Sequence, residues 1–268
     1  MILPQALTTE RVITIVTERR VFRDAFEIGL VGFAFLAYFL VRGSVVDRVA
    51  EAHQNAIDII NFEKALGIFW EVELQGLILG KDVLVQFFNA IYFWLDFPVI
   101  AVVGLWLYFW HRHNYTLTRD AVLSSGAISL IIYHLYPVAP PRLMPEGWGF
   151  LGTVEAYSNF SYQAASMQPF VNPYAAVPSL HYGWAVLVGA AIIWSTRNWL
   201  LRGIGFLLPW AQMAAIVLTA NHFIVDAFAG LAVCVVGVGI AILLQRWGYA
   251  NLRRLVARIR SEARAASA

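Results

Sequence analysis

The stretch WLLRGIGFLLPWAQMAAIVLTANHFIVDAFAGLAVCVVGVGIAILL, from Trp199 to Leu244, consists of two apolar runs, Trp199 to Ala220 and Phe223 to Leu244, either side of a short polar turn. Each run has about the 20 residues that an α-helix needs to cross the hydrocarbon core of a bilayer. No water is available there to satisfy backbone N–H and C=O groups, so continuous apolar segments of this length must bond internally, as helices. Working outward, four further runs have the same character: Asp24 to Val41, Leu84 to Trp110, Ala121 to Tyr136 and Ser179 to Ser195. The sequence therefore predicts an all-α fold, a six-span transmembrane helical bundle, with spans at about 24–41, 84–110, 121–136, 179–195, 199–220 and 223–244.

Composition agrees with this. Of 268 residues, 60% are hydrophobic and 13% charged, against roughly 45–50% and about 25% in soluble domains. That excludes a disordered chain and argues for lipid as the solvent. Many of the ten Trp residues lie near the ends of apolar runs, where amphipathic rings settle at the headgroup level. A net charge of +2 is too mild to imply a nucleic-acid partner. Cys234 is the single cysteine, so no intramolecular disulfide can form. No repeat or low-complexity tract divides the chain, and residues 1–268 read as one membrane domain.

Cytoplasmic loops carry the excess of Lys and Arg. Placing both termini on one side leaves Arg42, Arg48, Lys64, Lys81 and Arg142 on the other, against the remaining fourteen of the 19 cations. Both termini are thus expected in the cytoplasm, with segments 42–83 and 137–178 and the turn near 221 outside. The N-terminal 23 residues carry arginines but no apolar core, and the first span is expected to be retained rather than cleaved. Segment 56–80 mixes Ile57, Ile60, Leu66, Phe69 and Trp70 with Asp58, Glu63, Lys64, Glu71 and Glu73. It is too charged to span, and reads either as lying on the outer surface or as an ordinary packed outer helix. The C-terminal Leu252, Leu255, Val256 and Ile259 alternate with arginines at helical spacing, which suits the anionic inner leaflet.

Ionisable groups in or beside spans are costly and are functional candidates by default. His181 opens the fourth span, and His222 and Asp226 open the sixth. The interval from 181 to 222 is centred close to the turn at Ser195 to Asn198, so a rise of 1.5 Å per residue returns both histidines to the outer face. The four-residue spacing of His222 and Asp226 would stack them on one helix face, and a carboxylate on one ring nitrogen leaves a lone pair on the other. The alternative is a histidine merely satisfied in a bundle. The loop Tyr136-Pro137-Val138-Ala139-Pro140-Pro141-Arg142 supplies an arginine suited to phosphate oxygens, and the start of the fourth helix, with Pro178 and Ser179, adds N–H donors. Arg142 snorkelling to lipid headgroups is the competing reading. The outer loop, with Gly147, Trp148, Gly149 and the aromatic-rich Tyr157 to Tyr162, reads either as a lid or as an inert connector. Asp96, in Asp96-Phe97-Pro98, is a further intramembrane carboxylate beside an expected kink, to which the sequence gives no role.

Pro178-Ser179-Leu180-His181 followed by His222-Phe223-Ile224-Val225-Asp226 resembles the second and third signatures of the type 2 phosphatidic acid phosphatase superfamily, over roughly residues 85 to 245. The Leu before His181 and the Tyr-Pro-x-Ala-Pro-Pro-Arg stretch are more similar to the branch containing the fungal inositol phosphorylceramide synthase. The resemblance implies that His222 attacks phosphorus, that Asp226 orients it, and that His181 protonates the departing oxygen and then deprotonates the acceptor. It implies that Arg142 and the backbone at Ser179 hold phosphoryl oxygens, that no metal or cofactor is needed, and that the substrate is a membrane lipid phosphate at the outer face. A phosphoinositol-type headgroup moving to a lipid alcohol, or hydrolysis by water, is the implied reaction. The chain departs from the pattern at Leu135, where a lysine is usual, at Leu143, where a proline is usual, and at Ala215 and Ile216, where a Ser-Arg pair is usual. The phosphate pocket must then be built differently, using Tyr136, His134 or Asn221.

Two other classes stay open on sequence alone. A proton- or ion-coupled transporter would use His181, His222 and Asp226 as a relay, on broken helices near the midplane. A metal enzyme would use the same three side chains as ligands.

Overall fold

The computed structural model describes residues 24–34, 36–37, 48–157 and 173–266. The Arg-bearing segment before Asp24, the end of the first expected span at 38–41 and the loop stretch from Ser158 to Tyr162 lie outside the described residues. The described chain is all-helical: α1 (24–34), α2 (Val49–Leu66), α3 (Glu71–Gly76), α4 (Asp82–Trp94), α5 (Phe97–Trp110), α6 (Arg112–Leu135), α7 (Thr153–Tyr157), α8 (Leu180–Ser195), α9 (Trp199–Leu218), α10 (Ile224–Leu243) and α11 (Tyr249–Ala266). A π-helical turn, Leu244–Gly248, joins the last two. Among the described residues the nearest thing to a sheet is one parallel bridge between Val138 and Ala175.

Two helical stretches, Trp199–Leu218 and Ile224–Asn251, are long and apolar enough to cross a membrane, and a third joins them if the bent pair α4 and α5 is one span. The chain is an integral membrane protein by that measure. Helix α8 is apolar but shorter, at 16 residues.

The second expected span differs from the sequence reading. It is broken after Trp94 and bent by 44°. Pro98 has no N–H to bond backward, which suits it to the first turn of a helix and not to an interior. Asp96 accordingly becomes the N-cap of α5. The third expected span is also longer than its apolar run. Helix α6 starts at Arg112 because its polar half is itself satisfied: Arg119 donates to Asp120 and to Glu27 of α1, and the Tyr249 hydroxyl donates to Asp120. Polarity there interrupts the apolar run, while the helix continues.

The central layer is α8 packed on α9 and α10, with α6 against both α10 and α8. Small residues let these backbones approach, as packing between membrane helices requires. A Cβ on Gly189 of α8 would lie 2.3 Å from the Gly205 carbonyl oxygen of α9. A Cβ on Gly230 of α10 would lie 2.0 Å from the Ser179 carbonyl oxygen at the head of α8. The Ser179 N–H donates to the Asp226 carbonyl at 2.9 Å, so the starts of α8 and α10 are tied main chain to main chain. Gly230→Ala is expected to push these ends apart at a cost of about 1–3 kcal/mol. A thermal melt in detergent checks this, with Gly239→Ala as the neutral control, because nothing lies within 4 Å of a Cβ there.

The segment 56–80 falls on α2, α3 and the turns around them. Gly67, at φ 69°, ends α2 in the left-handed conformation that favours glycine. One face of α2 buries Ala52, Ala56, Ile59 and Ile60 against Val138, Ala139, Met144, Ala176 and Phe223. Asn55 of α2 donates to the Pro137 carbonyl at 2.8 Å, and Ala139 N–H donates to the Ala52 carbonyl. The loop between α6 and α8 is correspondingly ordered where it is described. Residues 137–140 lie beside 174–176, with Val138 N–H donating to Tyr174 and Ala176 N–H to Val138. Two 3-10 turns, Pro141–Leu143 and Glu146–Trp148, precede α7.

Candidate active site

The turn between α9 and α10 carries His222. The N–H groups of Asn221 and His222 both donate to the Ile216 carbonyl, and Ala220 is forced to φ 55°, a region costly for a residue with a Cβ. Asn221 is fixed by its Nδ2, which donates to Thr219 Oγ1 at 2.7 Å. Helix α10 then begins with N–H groups that have no partner within the helix. Three carboxyl groups take them: Asp226 Oδ2 accepts from Phe223 at 2.8 Å, Glu71 from Ile224 at 2.9 Å and Glu63 from Val225 at 2.8 Å. Negative charge is favoured at that end of a helix dipole.

His222 precedes α10, so the expected stacking with Asp226 along one helix face is not the geometry found. The turn brings them together instead, with Nδ1 3.3 Å from Asp226 Oδ2. The shorter contact of Nδ1 is 2.8 Å to the Ala176 carbonyl oxygen. A carbonyl can only accept, so Nδ1 carries the hydrogen and the lone pair of the neutral ring is on Nε2. The sequence assigns the fixing of the tautomer to Asp226; that task falls to Ala176, while Asp226, fully buried, places a carboxyl oxygen beside the ring.

His181 lies in the first turn of α8. Its Nδ1 is 3.3 Å from Asp96 Oδ2, and Gln212 Nε2 of α9 is also at 3.3 Å. Tyr92 of α4 stacks on the ring at 4.4 Å between centroids. The break between α4 and α5 is what delivers Asp96 to this position. The His181 and His222 rings are 5.6 Å apart between centroids, tilted by 58°.

Arg142 is held from three directions. Its N–H donates to Ala220 at 2.8 Å, its Nη1 donates to Asn221 Oδ1 at 2.7 Å, and its Nε lies 3.5 Å from Glu155 Oε1 of α7. A cavity opens among these groups, lined by His181, His222, Arg142, Asn221, Asp96 and Tyr92 together with Tyr133, Phe97, Leu180 and Trp184.

The structure thus gathers His181, His222 and Arg142 at one cavity, with Asp226 directly behind His222. It does not bring Ser179 or Tyr136 into the lining. Ser179 is fully buried as the N-cap of α8, its backbone spent on the tie to α10. Tyr136, at the end of α6, is 39% exposed. The sequence reading assigned no function to Asp96 or Glu155 and placed Glu63 and Glu71 on a peripheral segment. Asp96 had a signal, an acid inside a span beside a proline. Glu155 had none. Among the described residues no group of three His, Cys, Asp or Glu side chains is placed to hold a metal ion.

Burial pushes the Glu63 carboxyl up from 4.5 to about 9, and the facing Glu71 and Asp226 carboxylates reinforce this against the Val225 N–H, which opposes it. The folded chain therefore holds a proton that the unfolded chain releases near pH 4.5. The stabilisation is complete below that pH, declines as pH rises, and is gone above about 9. Glu63→Gln, a neutral hydrogen-bonding isostere, is expected to match the parent melting temperature near pH 4.5 and to flatten its fall from there to pH 9, so that it melts higher than the parent at neutral pH. Melts in detergent across that range check it, and an unchanged slope would place the proton elsewhere.

A sequence model described as the PAP2 superfamily matches residues 57–240, a span that begins within α2 and ends within α10. No curated protein and no solved structure matches the chain.

Proposed function

The chain belongs to the PAP2 superfamily, and on that premise we propose that it moves the phosphoryl group of a membrane lipid through a covalent intermediate on His222. Membership itself supports a lipid phosphatase or phosphotransferase, working on lipid phosphates. The observation that carries the finer reading is the pair of imidazoles 5.6 Å apart, each with an oxygen acceptor at Nδ1, beside Arg142.

In the first half-reaction the Nε2 lone pair of His222 attacks phosphorus. The P–N bond forms as the P–O bond to the leaving group breaks, and His181 gives its proton to the departing oxygen. Attack leaves the His222 ring cationic, with its hydrogen on Nδ1 toward Ala176 and the Asp226 carboxylate as the compensating charge. In the second, His181 takes the proton of the acceptor, the new O–P bond forms and the P–N bond breaks. Positioning and charge compensation are what phosphoryl transfer chiefly requires. Arg142 supplies the fixed donors for the phosphoryl oxygens.

We assign six spans with both termini cytoplasmic and the cavity on the extracytoplasmic side, following the distribution of Lys and Arg. The proposed acceptor is a lipid alcohol in preference to water, with Phe97, Leu180 and Trp184 among the residues that line the cavity. The test is to quench purified protein with substrate labelled on phosphorus and seek label on His222 that is stable to base and lost in acid. Label on no histidine, in a preparation that turns over, would remove the covalent route.

The bend at Asp96 favours a second reading, since broken helices bearing ionisable groups also serve coupled transport. Turnover in detergent, without a sealed compartment, separates the two.

A further inference from the structure

Arg142 is the one Lys or Arg among the residues lining the cavity. Its positive charge is already engaged, because Glu155 Oε1 stands 3.5 Å from its Nε, with the two side chains only 11% and 27% exposed. The carboxylate is built into this place. Gln75 of α3 grips Leu151 from both sides, accepting from its N–H at 2.9 Å and donating to its carbonyl at 2.8 Å. Asn89 of α4 does the same for Thr153, donating to its carbonyl at 3.0 Å and accepting from its hydroxyl at 2.7 Å. A Cβ at Gly152 would come within 2.8 Å of Glu155 Oε2 and 3.5 Å of Arg142 Cβ, so glycine there leaves the room the pair occupies.

Among the described residues no other Lys or Arg lines the cavity. Asp96 faces His181, so the proton that His181 must carry as an acid is matched by an acid beside it. Leu135, Ala215 and Ile216 are apolar, and the segment from Ser158 to Asn172 contains no Lys or Arg. A phosphomonoester brings about −1.5 to −2 charges at neutral pH, and a diester brings one. In a partly buried site the second charge costs far more than it would in water.

We propose that Glu155 is a specificity-determining residue: by holding Arg142, it makes the site accept monoanionic phosphodiester lipids and reject dianionic phosphomonoesters. The inference rests on His222 being the nucleophile. With a diester the bond to the diacylglycerol oxygen breaks, that oxygen takes the His181 proton, and the headgroup phosphate stays on His222. An acceptor hydroxyl then gives its proton to His181, bonds to phosphorus and releases His222.

The experiment uses the full chain in mixed micelles, with a lipid alcohol present and the His222→Ala protein as blank. Labelled phosphatidic acid is compared with labelled phosphatidylglycerol, phosphatidylethanolamine and phosphatidylinositol. The expected result is a kcat/KM at least about 100-fold higher for the best diester than for phosphatidic acid. In Glu155→Gln the ratio is expected to fall by about tenfold or more, through a rise in the monoester rate. A His222-dependent preference for phosphatidic acid, or a ratio unmoved by Glu155→Gln, overturns this inference and leaves the proposed function standing. Absence of turnover and of labelled His222 with every lipid overturns both.

Discussion

Replacing His222 with alanine is expected to abolish turnover, by on the order of 10⁴-fold or more, and to leave no phosphoryl label on the protein. The ring is 5% exposed and its Nδ1–H donates to the Ala176 carbonyl, so alanine also strands a buried acceptor and opens a small void. Displacement of residues 174–176 would then inactivate the variant as surely as lost chemistry. His222→Gln separates the two effects. Its amide can still donate toward Ala176, and it offers no nucleophilic lone pair. Both variants are expected to be inactive, with the melting temperature of the glutamine form closer to that of the parent. Wild-type turnover in the glutamine form would show that the imidazole does not attack phosphorus.

Much of the frame was legible because lipid imposes a one-dimensional rule: a run of about 20 apolar residues has few options except a helix. The same rule hides where helices end. The Arg119 and Asp120 pair interrupts hydropathy but not α6, because partners from Glu27 and Tyr249 satisfy it. The histidines and Arg142 stood out because ionisable side chains at span ends are rare. Their supports did not, for two different reasons. Asp96 was visible as a costly intramembrane acid, but its partner His181 is 85 positions away and nothing local names it. Glu63 and Glu71 sat among Asp58, Lys64 and Glu73, so they looked like one solvated face. They are instead among the most deeply buried acids, because what they bind is the bare N–H groups of Ile224 and Val225. Backbone donors carry no sequence signature. Ser179 shows the converse: the sequence offers a helix start as an anion site, and the structure uses that N–H to donate to the Asp226 carbonyl.

The second large effect concerns His181, and Asp96 makes it diagnostic. In the proposed mechanism His181 carries the proton in both half-reactions, so His181→Ala is expected to slow formation and breakdown of the phosphoenzyme alike, by roughly 10²- to 10⁴-fold. Asp96 acts through it. The carboxylate at 3.3 Å favours the imidazolium that the first half-reaction consumes and gives no help to the neutral base that starts the second. Asp96→Asn keeps the shape and one hydrogen-bonding oxygen while removing the charge. Formation of the phosphoenzyme is then expected to slow by about 10- to 100-fold, the worth of a hydrogen bond to a charged group, with breakdown slowed much less. Rapid-quench measurement of the two rates in each variant decides it. Equal slowing of both steps in Asp96→Asn would mean that Asp96 only braces the bend between α4 and α5, with Tyr92 and Gln212 left to hold the His181 ring.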